Sequence, residues 1–334
     1  MYIINTVKEK NMKYFDMHCD TVGLCAKSGG DLYHIDGSMV DFEKMAKGDA
    51  LAQCFAVFLP PPMMWENTGI KKIEDEDYIA ICRKIILDSV SAHSNIIAMA
   101  YNGRDIENNA KNGKMSAVLT MEDGRAVQGK LENLKRFYDD GFRALSLTWN
   151  FVNCFGSPNS ANPQIMNAGL SDFGKEAVEY MQQLGMLVDV SHLSEGGFWD
   201  VAEICKKPFI ATHSNARALS PHQRNLSDEQ IKALANVGGV TGLNFCPQFL
   251  NEDITCDVET KELIVKHAKH IVNVGGIDVC GMGSDFDGIT GKLEIGTSRD
   301  MPILAHEFSK AGFTDDEIEK IFYKNVLRVF KEAL

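Results

Sequence analysis

Acidic and imidazole side chains recur in this sequence where short apolar runs end. His18-Cys19-Asp20 ends the first run, Glu122-Asp123-Gly124 the third, Ser191-His192 the fifth, Thr212-His213 the sixth and Asp285-Phe286-Asp287-Gly288 the eighth. Three imidazoles and several carboxylates are thus candidates for one site, with no lysine among them. Carboxylates gathered without a cation repel one another and take up protons. A divalent metal removes that conflict. Mixed nitrogen and oxygen donors suit zinc, with manganese or cobalt as alternatives. Five such ligands are too many for one catalytic zinc, which typically uses three from the protein plus water. They fit two ions bridged by a carboxylate and a hydroxide.

Each of these residues also has an ordinary reading. A His-x-Asp pair on a strand points two side chains the same way, but such pairs arise by chance. His192 or His213 alone reads as a satisfied core histidine. Glu122-Asp123 alone reads as a helix start, its charges favoured by the dipole. Position changes the balance, because each lies at the same end of a different apolar run.

Those runs read as strands: Tyr14–Cys19, Leu51–Leu59, Ser116–Met121, Ala144–Trp149, Met186–Ser191, Pro208–Thr212, Gly239–Phe245 and Val279–Ser284. Helical patterns follow most of them, over Ile73–Ala92, Leu131–Asp140, Asp172–Leu184, Glu195–Cys205, Asp228–Asn236 and Lys261–Val274. Near-continuous apolar strands, each followed by a helix, imply a parallel sheet covered by helices. Eight units in 334 residues predict a closed (β/α)8 barrel, a TIM-type α/β fold, as one domain over 1–334. In that fold the C-terminal strand ends share one crevice, so polar residues far apart in sequence converge. A ninth run, Asn95–Ala100, lacks a polar terminal residue and is placed outside the barrel. Asp315–Leu334 reads as a helix, with Thr314 and Glu317 forming a capping box. Pro60–Gly69 and Asn153–Gly169 read as loops over the barrel mouth.

Other motifs carry less. Gly281–Gly288 does not match GxGxxG, because Phe286 holds the last position, and no Walker A motif occurs. His267 and His270 share a Lys-rich helix pattern that reads as solvated, so a metal role there is not expected.

Lys and Arg total 34 against 46 Asp and Glu, a formal charge of −12. An acidic chain without basic runs is a poor partner for nucleic acid or anionic membrane. No apolar stretch approaches the roughly 20 residues of a membrane span, and no signal peptide is evident. Residues 1–12 read as an N-terminal extension, with Met12 a candidate start. The nine cysteines are scattered, odd in number and without CxxC, which fits a reducing cytoplasm. A homodimer is left open.

Several segments together resemble the renal (membrane) dipeptidase family, peptidase family M19. They are Asp16-Met17-His18-Cys19-Asp20-Thr21, Met121-Glu122-Asp123-Gly124, Asp189-Val190-Ser191-His192, Thr212-His213-Ser214-Asn215, Arg224-Asn225, Gly283-Ser284-Asp285-Phe286-Asp287-Gly288 and the terminal Asn325-Val326-Leu327-Arg328-Val329-Phe330. The resemblance implies an amidohydrolase-type barrel with a binuclear zinc centre. It implies one zinc on His18 and Asp20, the other on His192 and His213, and Glu122 as the bridge. Asp285 matches the family's acid/base aspartate. Arg224 matches the arginine that grips the free carboxylate of a dipeptide. One position departs. Where the family carries histidine after the fourth strand, this chain has Trp149, followed by Asn150. Asn150 is then the candidate donor to the substrate carbonyl.

The expected activity is that of a zinc-dependent dipeptidase acting on free dipeptides, L-D dipeptides included by family resemblance. The alternatives are hydrolysis of a cyclic amide, lactone or N-acyl amino acid, and a non-catalytic metal-binding barrel.

Overall fold

The computed structural model describes residues 12–66 and 72–334. Apart from Met12, the expected N-terminal extension lies outside the described residues. Eight strands form the sheet that matters here: β1 (Tyr14–Cys19), β2 (Ala50–Phe58), β3 (Met115–Glu122), β4 (Phe142–Ser146), β5 (Leu187–Asp189), β6 (Ile210–Ala211), β7 (Val240–Leu243) and β8 (Cys280–Met282). All their pairings are parallel, in the order β2-β1-β8-β7-β6-β5-β4-β3. The ring closes where β2 pairs with β3 from Ala52↔Ser116 to Phe58↔Glu122. The expected (β/α)8 barrel is therefore the fold. The extra strand, Ile97–Met99, pairs only with the beginning of β3, so it stands outside the ring as expected.

The strands are apolar because both their faces are covered. Along β3, Met115 to Glu122 are all buried. Residues from seven strands (among them Phe15, Cys54, Val118, Ala144, Leu187, Ile210 and Val240) form one buried cluster with Val326, Val329 and Phe330 near the C-terminus. That meeting is only open to side chains reaching in from around a closed ring. A larger cluster fills the layer between sheet and helices. Serine caps start three of the outer helices: Ser171, Ser194 and Ser227 accept the backbone N–H of Gly174, Gly197 and Gln230. Such a cap contributes about 1 kcal/mol.

The structure departs from expectation in several places. Pro62–Glu66 is a short helix, not loop, since proline is pre-organised for the first helical turn; residues 67–69 of that stretch lie outside the described residues. Helices Phe42–Lys47 and Gly103–Lys111 were not expected. The latter buries only Gly103 and Ile106 and is otherwise mostly polar, so no apolar face marks it in the sequence, and Asn102 starts it by accepting from Arg104 N and Asp105 N. The C-terminal helix has its capping box at Thr314 and Glu317, but a wide turn over Lys320–Lys324 divides it. The helix bearing His267 and His270 is not a solvated face. His267 is fully buried, accepts from Ala216 N and lies 3.0 Å from Leu250 O. No described helix is long and apolar enough to cross a membrane.

Gly242 and Gly283 show how tightly the strand ends meet. A Cβ on either would collide with the Thr212 carbonyl oxygen. This close approach explains Gly283 in the Gly281–Gly288 stretch without a nucleotide.

Candidate metal centre

Parallel strands bring their C-terminal ends to one rim, and the polar residues singled out by sequence meet there. His18 Nε2 lies 3.8 Å from Asp20 Oδ1 and 3.5 Å from Glu122 Oε2. His192 Nε2 lies 2.9 Å, and His213 Nε2 3.6 Å, from Glu122 Oε1. The two oxygens of Glu122 thus face two different groups. Candidate ligand atoms fall into triplets: His18 with Asp20 and Glu122; Glu122 with His192 and His213; His18 with His213 and Asp285.

The hydrogen bonds around the rings fix which nitrogen is free. Thr212 Oγ1 has one proton and gives it to Asp189 Oδ2 at 2.6 Å. His213 Nδ1, 2.7 Å from Thr212 Oγ1, must therefore donate to that hydroxyl oxygen. His192 Nδ1 lies 3.0 Å from Asn150 Oδ1, an acceptor, so it also carries the proton. Burial holds both rings neutral by pushing their pKa well below the ordinary range. Each Nε2 is left with a lone pair pointing into the group.

Uncompensated charge shows elsewhere in the cluster. Burial, then the neighbouring Asp20, pushes Glu122 up to about 8. Burial disfavours a charged His18, but Glu122 and Asp20 outweigh it and raise its pKa well above the usual value. His18 Nε2 and Asp20 Oδ1 are buried without a hydrogen-bond partner. Buried polar atoms are nearly always satisfied. Orphaned donor atoms, facing lone pairs and crowded carboxylates are what divalent cations would satisfy, so these residues fit the metal that the sequence implies.

The supporting residues come from the same strands. Asp16 accepts from His18 N, Ser284 N and Ser284 Oγ, which joins β1 to the end of β8. Asp189 accepts from Ser191 N and Thr212 N, joining β5 to β6. Sequence reasoning missed both as supports. Their signal was present, for each lies on the strand just before its histidine. The backbone is strained here: His192 and Asp285 have φ of 68° and 64°. Such strain in residues other than glycine concentrates at functional sites.

The remaining candidates take different places. Asp285 borders the crevice, and Asn244 Nδ2 donates to its Oδ2 at 2.8 Å. Burial pushes its pKa up to about 6, against the opposing pull of His18. Asp123 stays out of the cluster. It accepts from Arg125 and Asn153, so its helix-start reading was right for it and wrong for Glu122. Arg224 is 5% exposed, and among the described residues no carboxylate comes within salt-bridge distance of it. Its guanidinium reaches Ser214 Oγ at 3.4 Å and His213 O at 3.3 Å and lies 5.5 Å from the Phe249 ring centroid, while its Nε has no partner. A structural acid does not hold it. It lines a small cavity to which His192 also contributes, and His192 in turn borders a crevice of about 400 Å³ with Asp20, Glu122 and Asp285. Asn150 and Trp149 line that crevice, with the Trp149 ring 4.9 Å from Phe58 and 6.1 Å from His192. Trp149 is thus a wall of the crevice and not packing remote from the cluster. The Asn153–Gly169 stretch flanks His192, with Asn159 N donating to its carbonyl oxygen, and does not line the crevice.

Known proteins resemble this chain in sequence and fold. The chain is 30% identical over 313 residues to an uncharacterised dipeptidase of Schizosaccharomyces pombe, covering 89% of this chain and 72% of that protein. It is 36% identical over 253 residues to an uncharacterised Klebsiella pneumoniae protein encoded in the pqqA 5' region, covering 74% and 93%. Among solved structures, a metallopeptidase of Rhodobacter sphaeroides liganded with a phosphinate mimic of L-Ala-D-Ala superposes with a TM-score of 0.86 at 25% identity, covering 97% of this chain and 100% of that one. A second, dipeptidase AC of family M19, gives 0.86 at 26%, covering 97% and 99%. The profile of the membrane dipeptidase family matches residues 4–334. With its barrel, its His/Asp/Glu cluster and this match along the chain, the protein belongs to the membrane dipeptidases, peptidase family M19, a family of metal-dependent dipeptidases.

Proposed function

We propose that this chain hydrolyses the peptide bond of free dipeptides at a centre for two divalent ions, zinc by preference. The observation that carries the reading is the division of Glu122, with Oε2 toward His18 and Oε1 toward His192 and His213. A carboxylate placed this way suits a bridge between two ions. His18 and Asp20 would hold one, and His192 and His213 the other. When bound, such ions lower the pKa of water and polarise a carbonyl.

The chain's own groups would do the rest. Asp285 is oriented by Asn244 and kept near neutrality by burial, so it can take a proton and return it to the departing amine. Arg224 carries a buried positive charge without an acidic partner. A substrate carboxylate would satisfy it, which favours substrates short enough to bring a C-terminus beside the reacting bond. Trp149, Phe58 and Met64 border the crevice with apolar surface that excludes water. The dipeptide mimic bound by the Rhodobacter sphaeroides relative supports including an L-D dipeptide among the substrates. The nine cysteines are free thiols, which supports a cytoplasmic site of action.

A panel of L-L, L-D and cyclic dipeptides with zinc-loaded protein tests the reading. Free dipeptides should be cleaved and cyclic ones spared. Cleavage confined to cyclic amides or lactones would replace the dipeptidase reading with the other amidohydrolase chemistry.

A further inference from the structure

The two histidines that face Glu122 Oε1 are anchored unequally. His213 is held inside the barrel, its Nδ1 on Thr212 Oγ1 and that hydroxyl on the buried Asp189. His192 is held from a loop. Its Nδ1 donates to Asn150 Oδ1 at 3.0 Å, and Asn150 is exposed. The same segment pins the main chain of His192. Its carbonyl oxygen accepts from Thr148 Oγ1 at 3.1 Å, from Asn159 N at 2.7 Å and from Asn159 Nδ2 at 3.0 Å. Three polar residues after β4 thus converge on a histidine whose backbone sits in the left-handed region. A β-carbon residue gains nothing from that conformation by itself, so the hydrogen bonds must hold it.

A ligating imidazole depends on the group that holds its other nitrogen, because that group sets the tautomer and the tilt of the ring. Asn150 was expected to donate to the substrate. Its oxygen accepts from His192, while a substrate carbonyl would take its Nδ2, so the two roles use different atoms. We propose that Asn150 is a positioning residue, which keeps the Nε2 lone pair of His192 aimed at Glu122 Oε1 and so sets the affinity for the ion shared by His192 and His213. The inference rests on the two-ion reading above. It makes the ion on this side sensitive to the loop after β4, whereas the buried Asp189–Thr212 pair leaves His213 independent of it.

The test is a zinc titration of ion-free full-length protein against a competing chelator, in wild type, Asn150→Ala and Asn150→Asp, without substrate. Wild type should take up two ions. If it takes up one or none, the two-ion reading fails before any variant is compared. In Asn150→Ala the first ion should bind as in wild type and the second about 10–100-fold more weakly. Asn150→Asp keeps an acceptor for Nδ1 and should restore the second ion. The ¹⁵N shifts of His192 in ion-free protein give a separate readout. The proton should lie on Nδ1 in wild type and Asn150→Asp, and be shared between the nitrogens in Asn150→Ala. Unchanged second-ion affinity and an unchanged tautomer in Asn150→Ala would overturn the proposal. A raised KM at saturating zinc in that case would return Asn150 to the substrate.

Discussion

The Nε2 atoms of His192 and His213 face each other across 3.0 Å, although both rings carry their protons on Nδ1. Two lone pairs at that distance repel. Each ring is turned inward by a partner of its own: Asn150 for one, Thr212 backed by Asp189 for the other. An arrangement that orients two acceptors at one point suits a cation between them.

Asp285 has the place of a proton carrier at the edge of this cluster. Asp285→Asn keeps the shape and an acceptor for the Asn244 amide. Zinc content and thermal stability should stay near wild type, while kcat falls by at least about 10². Loss of an ion in proportion to activity would make Asp285 a ligand, a role its 3.9 Å approach to His18 leaves within reach.

Arg224 can be tested through the substrate. Arg224→Met should raise KM for a free dipeptide by about 10–100-fold, the worth of a charged hydrogen bond. The matching dipeptide amide, which lacks the carboxylate, should change far less. Equal effects on both would mean that the guanidinium only steadies the His213 carbonyl and Ser214.

Much of this site was legible in the sequence, for a physical reason. Parallel strands need apolar residues on both faces, so a His or acid at the end of such a run stands out, as at His18, Glu122, His192, His213 and Asp285. What each neighbour does was not legible. Glu122 and Asp123 are adjacent and chemically alike, yet one faces the cluster and the other caps a turn through Arg125 N. The contact of Asn150 with His192 was not legible because it joins residues 42 apart in sequence. The burial of His267 was hidden for a similar reason, since its partners Ala216 and Leu250 lie on other segments.

Trp149 borders the crevice at the position where the family resemblance implies a histidine. If that ring costs the enzyme a donor to the developing negative oxygen, Trp149→His should raise kcat for at least one dipeptide, by up to about 10², with zinc content unchanged. A fall in kcat for every dipeptide tried would mean that the indole shapes this enzyme's own substrate pocket against Phe58.

Glu259 predicts a pH effect away from the site. It is buried, with Oε2 accepting from Ile295 N and Oε1 unpaired, and burial pushes its pKa up to about 7. An unfolded glutamate releases its proton near pH 4.3. Between those values the unfolded chain has lost the proton and the folded chain keeps it, so stability falls as pH rises and the loss is complete above about 7. Glu259→Gln should therefore stabilise the protein at pH 8 by about 1–3 kcal/mol and have little effect at pH 4. Chemical denaturation at the two pH values measures the difference. An equal effect at both would show that the carboxylate charge is not the cause.

The central claim is that two ions, divided by Glu122, serve one hydrolytic reaction. Dipeptide hydrolysis measured as zinc is added back stepwise to ion-free protein, with bound zinc counted by elemental analysis, tests it most directly. Activity should stay low through the first equivalent and reach its full value near two ions per chain, and His192→Ala should stop at one ion with almost no turnover. Full activity at a single ion per chain would contradict it.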